Sequence, residues 1–352
     1  MQPIAPATRR SPAAAKAYNA AILTATLLAP SCKCPELSAL ATHCAIPDMR
    51  RRDLARDSPP PSLHAASRPP LQLPSMSTQI ATRTEYVLGT DAVELERLSF
   101  QHRLWSDSAA AHWERAGFGR GKTIMDVGCG PGFATIDLAQ SLGPRGKVLA
   151  VDESPAFLDY LNRAPRPPSS APIETVQADV QRLSLSLASV DGAYARWVLS
   201  FTPDPEAVIV GVARALRPGA AFAVQDYCNW PALFWAPFSD TLEVIRGAIL
   251  KAYADRQANP RVAMHVPALL EKHGLRVREI APLQRVARPG DALWDWPATY
   301  LRSFLPRLIK LGLLTAADFQ AWEQEWEVLE RTPGAYFFTP PQLCITAEKR
   351  AK

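Results

Sequence analysis

Short apolar runs alternate with helical segments through the central part of the chain. Five such runs are 122–127, 147–151, 173–178, 192–198 and 221–225, and all except 173–178 hold consecutive apolar residues rather than one at every second position. Runs of this kind are typical of strands buried on both faces, and their alternation with helices indicates a parallel sheet covered on both sides. The sequence therefore predicts an α/β fold with a doubly wound, mostly parallel sheet.

A helix is predicted in front of the first strand. Asp91 and Glu94 have the spacing of a capping box, which pairs the two ends of a first helical turn. Leu95, Leu98 and Trp105 then recur at helical spacing, so they fall on one face. We expect that apolar face to pack against the sheet.

The pattern changes after the fifth strand. Two segments, 230–259 and 291–332, show helical spacing and are predicted to be helical insertions. Between them we expect a helix at 266–273 and a strand at 276–286. A last strand is predicted at 336–347. The insertions would then rise above the strand ends, where ligands bind in sheets of this type.

The turn after the first strand carries the most informative residues. It reads Asp-Val-Gly-Cys-Gly-Pro-Gly over 126–132, and glycine there lets the backbone approach a ligand closely. Asp152 ends the second strand, 20 residues past Gly132, at the offset where a carboxylate can accept both ribose hydroxyls of a nucleoside. Asp179 ends the third strand, within reach of an adenine. Three sites on three successive strand ends predict a nucleoside cofactor.

The glycine spacing distinguishes between two kinds of nucleoside cofactor. Nicotinamide-binding turns favour G-x-G-x-x-G, whereas this turn reads G-x-G-x-G. The turn resembles the E/D-x-G-x-G-x-G loop of class I S-adenosylmethionine-dependent methyltransferases, in the small-molecule, type 11/25-like branch. The resemblance runs from about residue 85 to residue 349. Three further segments resemble the family's second strand, its adenine-contacting turn and its turn into the fifth strand: 148–152, 178–180 and 214–219.

The resemblance implies a cofactor, a set of cofactor-binding residues and a topology. The cofactor is S-adenosyl-L-methionine. Gly128 and Gly130 would line its methionine end, Asp152 would bind the ribose, and Asp179 with Val180 would bind the adenine. The full set of implied cofactor-binding residues is Asp126, Gly128, Gly130, Gly132, Asp152, Asp179, Val180 and Arg196. The implied sheet has seven strands, and the last of them, at about 337–346, is antiparallel.

The residues after the fourth and fifth strands bear on the identity of the methyl acceptor. No Asp-Pro-Pro-Tyr motif comes after the fourth strand, which argues against exocyclic amines of DNA bases as acceptors. Arg196 stands where a metal site would need a carboxylate, so no metal is predicted and Asp226 is expected to cap a turn. Tyr227, directly after the fifth strand, is the candidate for positioning the nucleophile.

Aromatic residues in the two insertions suggest an acceptor pocket. Large apolar pockets lined by aromatic rings are typical of small-molecule sites, and aromatic faces also favour a sulfonium cation. The residues predicted to line this pocket are Trp230, Trp235, Trp294 and Trp296. The predicted reaction is in-line methyl transfer to a small, apolar or aromatic organic acceptor.

Composition separates the first 75 residues from the rest. Residues 1–75 hold 12 of the 33 prolines, none of the 17 glycines, and 9 Lys and Arg against 4 Asp and Glu. A Pro-rich, Gly-free segment is predicted to be disordered, with 76–352 as the methyltransferase domain. That domain holds 30 basic and 30 acidic residues, which argues against nucleic acid as a partner.

The location of the protein stays open in the sequence. The longest apolar run, 20–29, is about half of what a membrane-spanning helix needs, so no membrane partner is predicted. The basic residues before this run fit a signal peptide or an organellar transit peptide. They fit equally a natural start at Met76, with the residues before it wrongly included in the sequence. We expect a cytoplasmic protein, with an organellar one as the alternative.

Three alternative functions remain open. A methyltransferase acting on protein or RNA is disfavoured by the neutral domain and the aromatic insertions. A nicotinamide-dependent oxidoreductase is disfavoured by the glycine spacing. A non-catalytic, methyltransferase-like module would be expected to carry a damaged cofactor loop, and this loop is intact. The sequence leaves the acceptor atom, any general base and the oligomeric state open.

Overall fold

A computed structural model describes residues 91–351 of the protein. These residues all belong to one compact unit. The Pro-rich extension predicted over 1–75 and the domain boundary predicted at 76 lie outside the described residues.

The described chain alternates strands and helices as the apolar pattern predicts. The strands are β1 Thr123–Val127, β2 Lys147–Asp152, β3 Ile173–Gln177, β4 Val190–Arg196, β5 Leu216–Tyr227, β6 Phe234–Ala236, β7 Leu275–Leu283, β8 Val286–Ala287, β9 Tyr336–Phe338 and β10 Gln342–Lys349. The α-helices are α1 Ala92–Arg115, α2 Phe133–Leu142, α3 Pro155–Arg163, α4 Pro205–Ala215, α5 Asp240–Asp255, α6 Val266–Lys272, α7 Asp295–Lys310 and α8 Ala316–Leu329.

Seven strands form the main sheet in the order β3-β2-β1-β4-β5-β10-β7. Strands β1 to β5 pair in parallel, and β10 pairs antiparallel with both β5 and β7. The predicted doubly wound, mostly parallel sheet with an antiparallel last strand is thereby confirmed. Strand order reverses between β1 and β4, and the carboxyl ends at such a point form the crevice where open α/β sheets bind ligands.

The strand predicted at 336–347 is wrong as a single element. It is divided into β9, which belongs to a separate three-stranded sheet with β6 and β8, and β10, which belongs to the main sheet. Pro340 and Pro341 lie between the two strands. Proline has no N–H to donate to a ladder, so the chain leaves one sheet before it joins the other.

The segment 230–259 is also not wholly helical. It begins with a 3₁₀ turn at Trp230–Ala232 and the short strand β6, and only then continues into α5. Phe234 of β6 stacks on Phe338 of β9 at a centroid distance of 4.8 Å, and β6 and β9 pair antiparallel. Aromatic cross-strand pairs of this kind stabilise a strand pair, which explains the local preference for extended backbone.

The first helix begins as predicted, but only part of its predicted apolar face is fully buried. The Asp91 carboxylate accepts a hydrogen bond from the Glu94 N–H at 2.9 Å, which caps α1. The Glu94 carboxylate does not close the box. It accepts hydrogen bonds from Arg97 at 2.6 and 2.7 Å, and the Glu94 and Arg97 side chains are both buried. On the predicted apolar face, Trp105 is fully buried, whereas Leu95 and Leu98 are only partly buried. The face of α1 that turns inward is therefore partly polar.

Candidate functional site

A cavity of about 1490 Å³ lies where the carboxyl ends of the parallel strands meet α1, α5 and α7. Its lining includes seven of the eight predicted cofactor-binding residues: Asp126, Gly128, Gly130, Asp152, Asp179, Val180 and Arg196. Gly132 is not part of the lining. The same cavity continues to aromatic side chains from β5, α5 and α7, so the strand ends and the aromatic wall enclose one space.

The three glycines of the turn after β1 have different physical roles. All three have positive φ, at +65° for Gly128, +56° for Gly130 and +83° for Gly132, which favours glycine over residues with a Cβ. A Cβ on Gly130 would meet no atom within 4 Å, so the backbone there borders open cavity. A Cβ on Gly132 would lie 2.3 Å from Leu161 Cδ1. Gly132 therefore lets α2 start against α3, and we remove it from the set of ligand contacts.

Asp152 fixes the shape of this turn. Its carboxylate accepts hydrogen bonds from the Gly130 N–H at 2.8 Å and from the Ser154 N–H at 2.9 Å. Burial raises its pKa, and these backbone N–H groups oppose that rise. A carboxylate has about four lone-pair positions, so two bonds leave capacity for hydroxyl donors from a ligand. Asp152 can therefore hold the turn and a ribose together.

Asp179 has a comparable double role at the end of β3. It caps a short 3₁₀ turn by accepting a hydrogen bond from the Gln181 N–H at 2.9 Å, and it lines the cavity beside Val180. The predicted adenine-contacting pair thus lies together on the cavity wall.

Asp126, the acid at the start of the glycine turn, is deeply buried, with 3% of its surface exposed. Thr135 Oγ1 donates a hydrogen bond of 2.6 Å to its carboxylate. Burial raises the pKa of Asp126 to about 6, and the hydrogen bond from Thr135 and the charge of Arg196 limit the rise. At neutral pH the carboxylate is therefore mostly ionised, and it places negative charge beneath the turn.

Arg196, the last residue of β4, lines the cavity, and one nitrogen of its guanidinium group has no hydrogen-bond partner. Its Nη2 donates to His102 Nδ1 at 2.9 Å, and His102 Nε2 lies 2.8 Å from the Asp137 carboxylate. Because Nδ1 accepts, Nε2 is the nitrogen that donates to Asp137. Arg196 Nη1 is buried and has no hydrogen-bond partner. Such an atom is costly to bury alone, so it suits an anionic ligand group such as a carboxylate.

The residue after Arg196 is held in a strained conformation. Trp197 has φ +54°, in the left-handed region that bulky residues seldom adopt. Its N–H donates to the Gln225 carbonyl at 2.9 Å and its Nε1 donates to Gln342 Oε1 at 2.9 Å. The indole stacks on Tyr227 with a centroid distance of 6.2 Å, and both rings line the cavity. Strain of this kind concentrates at ligand sites, where the surrounding contacts maintain it.

The four predicted pocket tryptophans separate into two pairs. Trp230 and Trp296 line the cavity, whereas Trp235 and Trp294 do not. Trp294 stacks on Trp326 at 4.7 Å between centroids, and Trp235 meets the same ring edge-on at 5.7 Å. Trp235 and Trp294 thus belong to the core between β6, α7 and α8, and we withdraw them from the acceptor pocket.

Among the cavity residues that the sequence did not predict are Arg97, Gln101, His102 and Tyr253. The first three come from α1, whose apolar spacing drew attention to Leu95 and Leu98 instead. A signal was present, since Arg97 and Gln101 lie three and seven residues after Glu94, which places polar groups on one helix face. Nothing in the sequence near Tyr253 distinguishes it from other residues of an amphipathic helix.

Asp226 lies within β5, and its carboxylate holds the turn that follows β4, in keeping with the turn role predicted for it. Its carboxylate accepts hydrogen bonds from the Ser200 N–H at 3.2 Å and the Tyr227 N–H at 2.8 Å. Across residues 91–351, no three His, Cys, Asp or Glu side chains are grouped so that they could hold a metal ion. Within the same residues, no helix is long and apolar enough to cross a membrane.

Comparisons with known proteins agree with this geometry. A family model described as a methyltransferase domain matches residues 125–224. The demethylmenaquinone methyltransferase of Lactococcus lactis is 34% identical over 119 residues, which cover 34% of this chain and 46% of that protein. The arsenite methyltransferase of Halobacterium salinarum is 25% identical over 178 residues, which cover 51% of this chain and 42% of that protein.

A third relative is matched over more of its length. The 2-phytyl-1,4-naphtoquinone methyltransferase of Synechococcus elongatus is 30% identical over 170 residues, which cover 48% of this chain and 67% of that protein. The chain thus spans about half the length of the first two relatives and two thirds of the third. The glycine turn with its two strand-end acids, the seven-stranded topology and these matches place the chain in the class I S-adenosylmethionine-dependent methyltransferase family.

Proposed function

We propose that this protein transfers a methyl group from S-adenosylmethionine to a small, apolar or aromatic organic acceptor. The observation that carries the proposal is the continuity of the cavity from the glycine turn to the aromatic wall. A cofactor on the strand ends and an acceptor among the aromatic rings would share that space without a barrier between them. Alignment of two reactants in one closed site can supply about 7–11 kcal/mol of the barrier reduction.

The residues on the strand ends fit S-adenosylmethionine. Gly130 leaves open space that a side chain would fill, and the unpartnered Arg196 Nη1 offers a charged donor for the carboxylate of the methionine part. Asp152 would accept hydrogen bonds from the ribose hydroxyls, and Asp179 would lie at the adenine beside Val180. When bound, the cofactor supplies an electrophilic methyl group on a sulfonium.

The protein's own residues then have to orient the acceptor and exclude water. Trp197 and Tyr227 form a stacked pair on the cavity wall, and Trp296 stacks on Trp197 at 6.4 Å between centroids. Aromatic faces stabilise a nearby cation and offer flat apolar surface to a ring-shaped acceptor. Tyr227 remains our candidate for positioning the nucleophile, because it ends β5 and lies on this wall.

The relatives suggest two kinds of acceptor, quinones and arsenite, and the cavity favours the first. Arsenite is thiophilic, so a site for it would be expected to bring cysteines together. Of the described cysteines, Cys129 and Cys344 are buried and Cys228 is partly buried, and they take part in no grouping that could hold an ion. An organic acceptor with an aromatic or polyene part matches the tryptophan and tyrosine lining better.

The proposal is tested by following the methyl group. The purified protein would be incubated with S-adenosylmethionine carrying a labelled methyl group and a panel of naphthols, quinols and phenols. We expect S-adenosylhomocysteine to form only with an accepted panel member, whose mass rises by one labelled methyl group. Gly130→Val should abolish both signals, because its side chain would fill the space beside the turn.

A parallel thermal-shift measurement separates the proposed function from its main alternative. A ligand at 100 times its dissociation constant stabilises a protein by about 2.7 kcal/mol. S-adenosylhomocysteine should therefore raise the melting temperature clearly, and NAD and NADP should not. Stabilisation by a nicotinamide cofactor alone would overturn the proposal in favour of an oxidoreductase.

A further inference from the structure

Two tyrosines, one buried and one partly buried, meet on the aromatic wall of the cavity. Tyr253 of α5 and Tyr300 of α7 both line it, and their hydroxyl oxygens lie 3.0 Å apart. The ring of Trp230 lies 5.9 Å from that of Tyr253 and 6.3 Å from that of Tyr300, between centroids. A polar pair is thus set into an otherwise apolar part of the wall.

The hydroxyl pair has one more proton than it needs for its own hydrogen bond. Each phenol carries one O–H, and a single O–H···O bond between the two uses one of the hydrogens. Burial raises the pKa of Tyr253 to about 12 and raises that of Tyr300 well above its usual value. Both hydroxyls therefore keep their protons at neutral pH, and the pair can donate one hydrogen bond to a group in the cavity.

Gln101 adds a second donor to the same region. Its Oε1 accepts hydrogen bonds from Arg97 Nη1 and from Trp296 Nε1, each at 3.0 Å. Two donors on one oxygen fix the orientation of the amide, so its nitrogen is the atom that remains to donate. Arg97 lies over the Tyr300 ring at 5.9 Å, which brings this amide and the tyrosine pair into one neighbourhood.

The charge of this region is already balanced. Arg97 forms two hydrogen bonds with Glu94, at 2.6 and 2.7 Å, and both side chains are buried. A ligand carboxylate would therefore meet no uncompensated positive charge here, and the loss of its hydration would not be offset. A neutral oxygen, by contrast, needs only the donors that the tyrosines and the amide provide.

We propose that the hydroxyl pair of Tyr253 and Tyr300, together with the Gln101 amide, selects acceptors that carry a neutral hydrogen-bond-accepting oxygen on an apolar ring. Ketones, quinones and ring ethers belong to this class. The inference rests on the proposed function, because it assigns the polar anchor of the same acceptor pocket. The pair positions the acceptor and takes no part in bond making.

The test compares three probes of similar size on the full-length protein saturated with S-adenosylhomocysteine. The probes are 1-tetralone, which carries a ketone, tetralin, which lacks any oxygen, and 1-naphthoate, which is anionic. Their binding is measured by equilibrium dialysis. We expect 1-tetralone to bind at least tenfold more tightly than either of the other two.

The variant that removes the pair is the double substitution Tyr253→Phe with Tyr300→Phe. Removing both hydroxyls leaves neither partner unpaired, so the fold is disturbed less than by a single substitution. The ratio of the affinity for 1-tetralone to the affinity for tetralin should fall from at least ten to close to one, while the affinity for tetralin is unchanged. Gln101→Glu, which can still accept from Arg97 and Trp296 but cannot donate from an amide, should reduce the preference in part. Tyr336→Phe, in β9 outside the cavity, is the matched control and should keep it.

The outcomes separate this inference from the proposed function. An unchanged ketone preference in the double variant, with normal melting temperature and normal S-adenosylhomocysteine binding, would overturn the inference alone. Tighter binding of 1-naphthoate than of 1-tetralone to the wild-type protein would do the same. Failure of the wild-type protein to bind S-adenosylhomocysteine at all would instead overturn the proposed function.

Discussion

The two halves of the cavity are built in different ways. The half at the glycine turn is made by residues at the ends of consecutive strands β1 to β4, and it is polar and shaped by backbone. The half at the aromatic wall is made by side chains from α1, β5, α5 and α7, which are far apart in the sequence. A local motif can specify the first half, whereas only the tertiary fold brings the second together.

This difference explains which residues the sequence could predict. Gly130 and Asp152 belong to strand ends that are recognisable from their apolar runs, and the Asp152 carboxylate indeed bonds to the Gly130 N–H. Trp230 and Trp294 occur in equally aromatic segments, yet one borders the cavity and the other stacks in a core. Helical spacing shows that a residue is turned inward, but it does not show whether it meets a void or another helix.

The same limit applies to the strand boundaries. The mostly parallel sheet of seven strands with an antiparallel last strand follows from alternation and from the family resemblance, and the structure confirms it. The division of the last predicted strand into β9 and β10 depends on the pairing of β9 with β6 and β8. Those partners lie about 50 to 100 residues away, so nearby residues alone do not reveal the second sheet.

The largest expected effect separates the two kinds of tryptophan. Trp294→Ala should cost about 3–5 kcal/mol of unfolding free energy, since it leaves a void against Trp326. Trp230→Ala should cost less, because its ring borders the cavity and truncation enlarges an existing space. Urea unfolding of both variants measures the difference. Equal losses of stability would mean that Trp230 is as much a core residue as Trp294.

The second prediction concerns the acid beneath the glycine turn. The folded pKa of Asp126, about 6, exceeds the ordinary 3.8, so the folded state holds a proton that the unfolded chain releases. Asp126 therefore favours folding most below about pH 4, and this contribution is lost as the pH rises to about 6. At 1.36 kcal/mol per pKa unit, the loss is about 3 kcal/mol.

Asp126→Asn removes this titration while keeping an oxygen for Thr135. Relative to the wild-type protein, the variant should gain up to about 3 kcal/mol of stability between pH 4 and pH 7. Asp226, whose pKa burial also raises to about 6, titrates in both proteins and cancels in the comparison. The free energy of unfolding of both proteins is measured at several pH values from 4 to 7. A difference between the two proteins that stays the same at every pH would show that Asp126 does not titrate as its burial implies.

A smaller effect distinguishes two glycines of the turn. Gly130→Ala and Gly132→Ala share the strain of positive φ, but only the second places a Cβ against Leu161. Gly132→Ala should therefore be less stable than Gly130→Ala by about 1–3 kcal/mol. Gly130→Ala should instead weaken cofactor binding more. If thermal unfolding ranks the two variants in reverse, the packing role given to Gly132 is wrong.

The most direct test of the central claim is a calorimetric titration with S-adenosylhomocysteine. We predict one binding site per chain in the wild-type protein and at least tenfold weaker binding in Asp152→Ala, because that carboxylate holds the turn and would bind the ribose. Asp159→Ala, an exposed acid on α3 outside the cavity, should bind as the wild-type protein does. Equal affinity in all three proteins would contradict the placement of the cofactor on these strand ends.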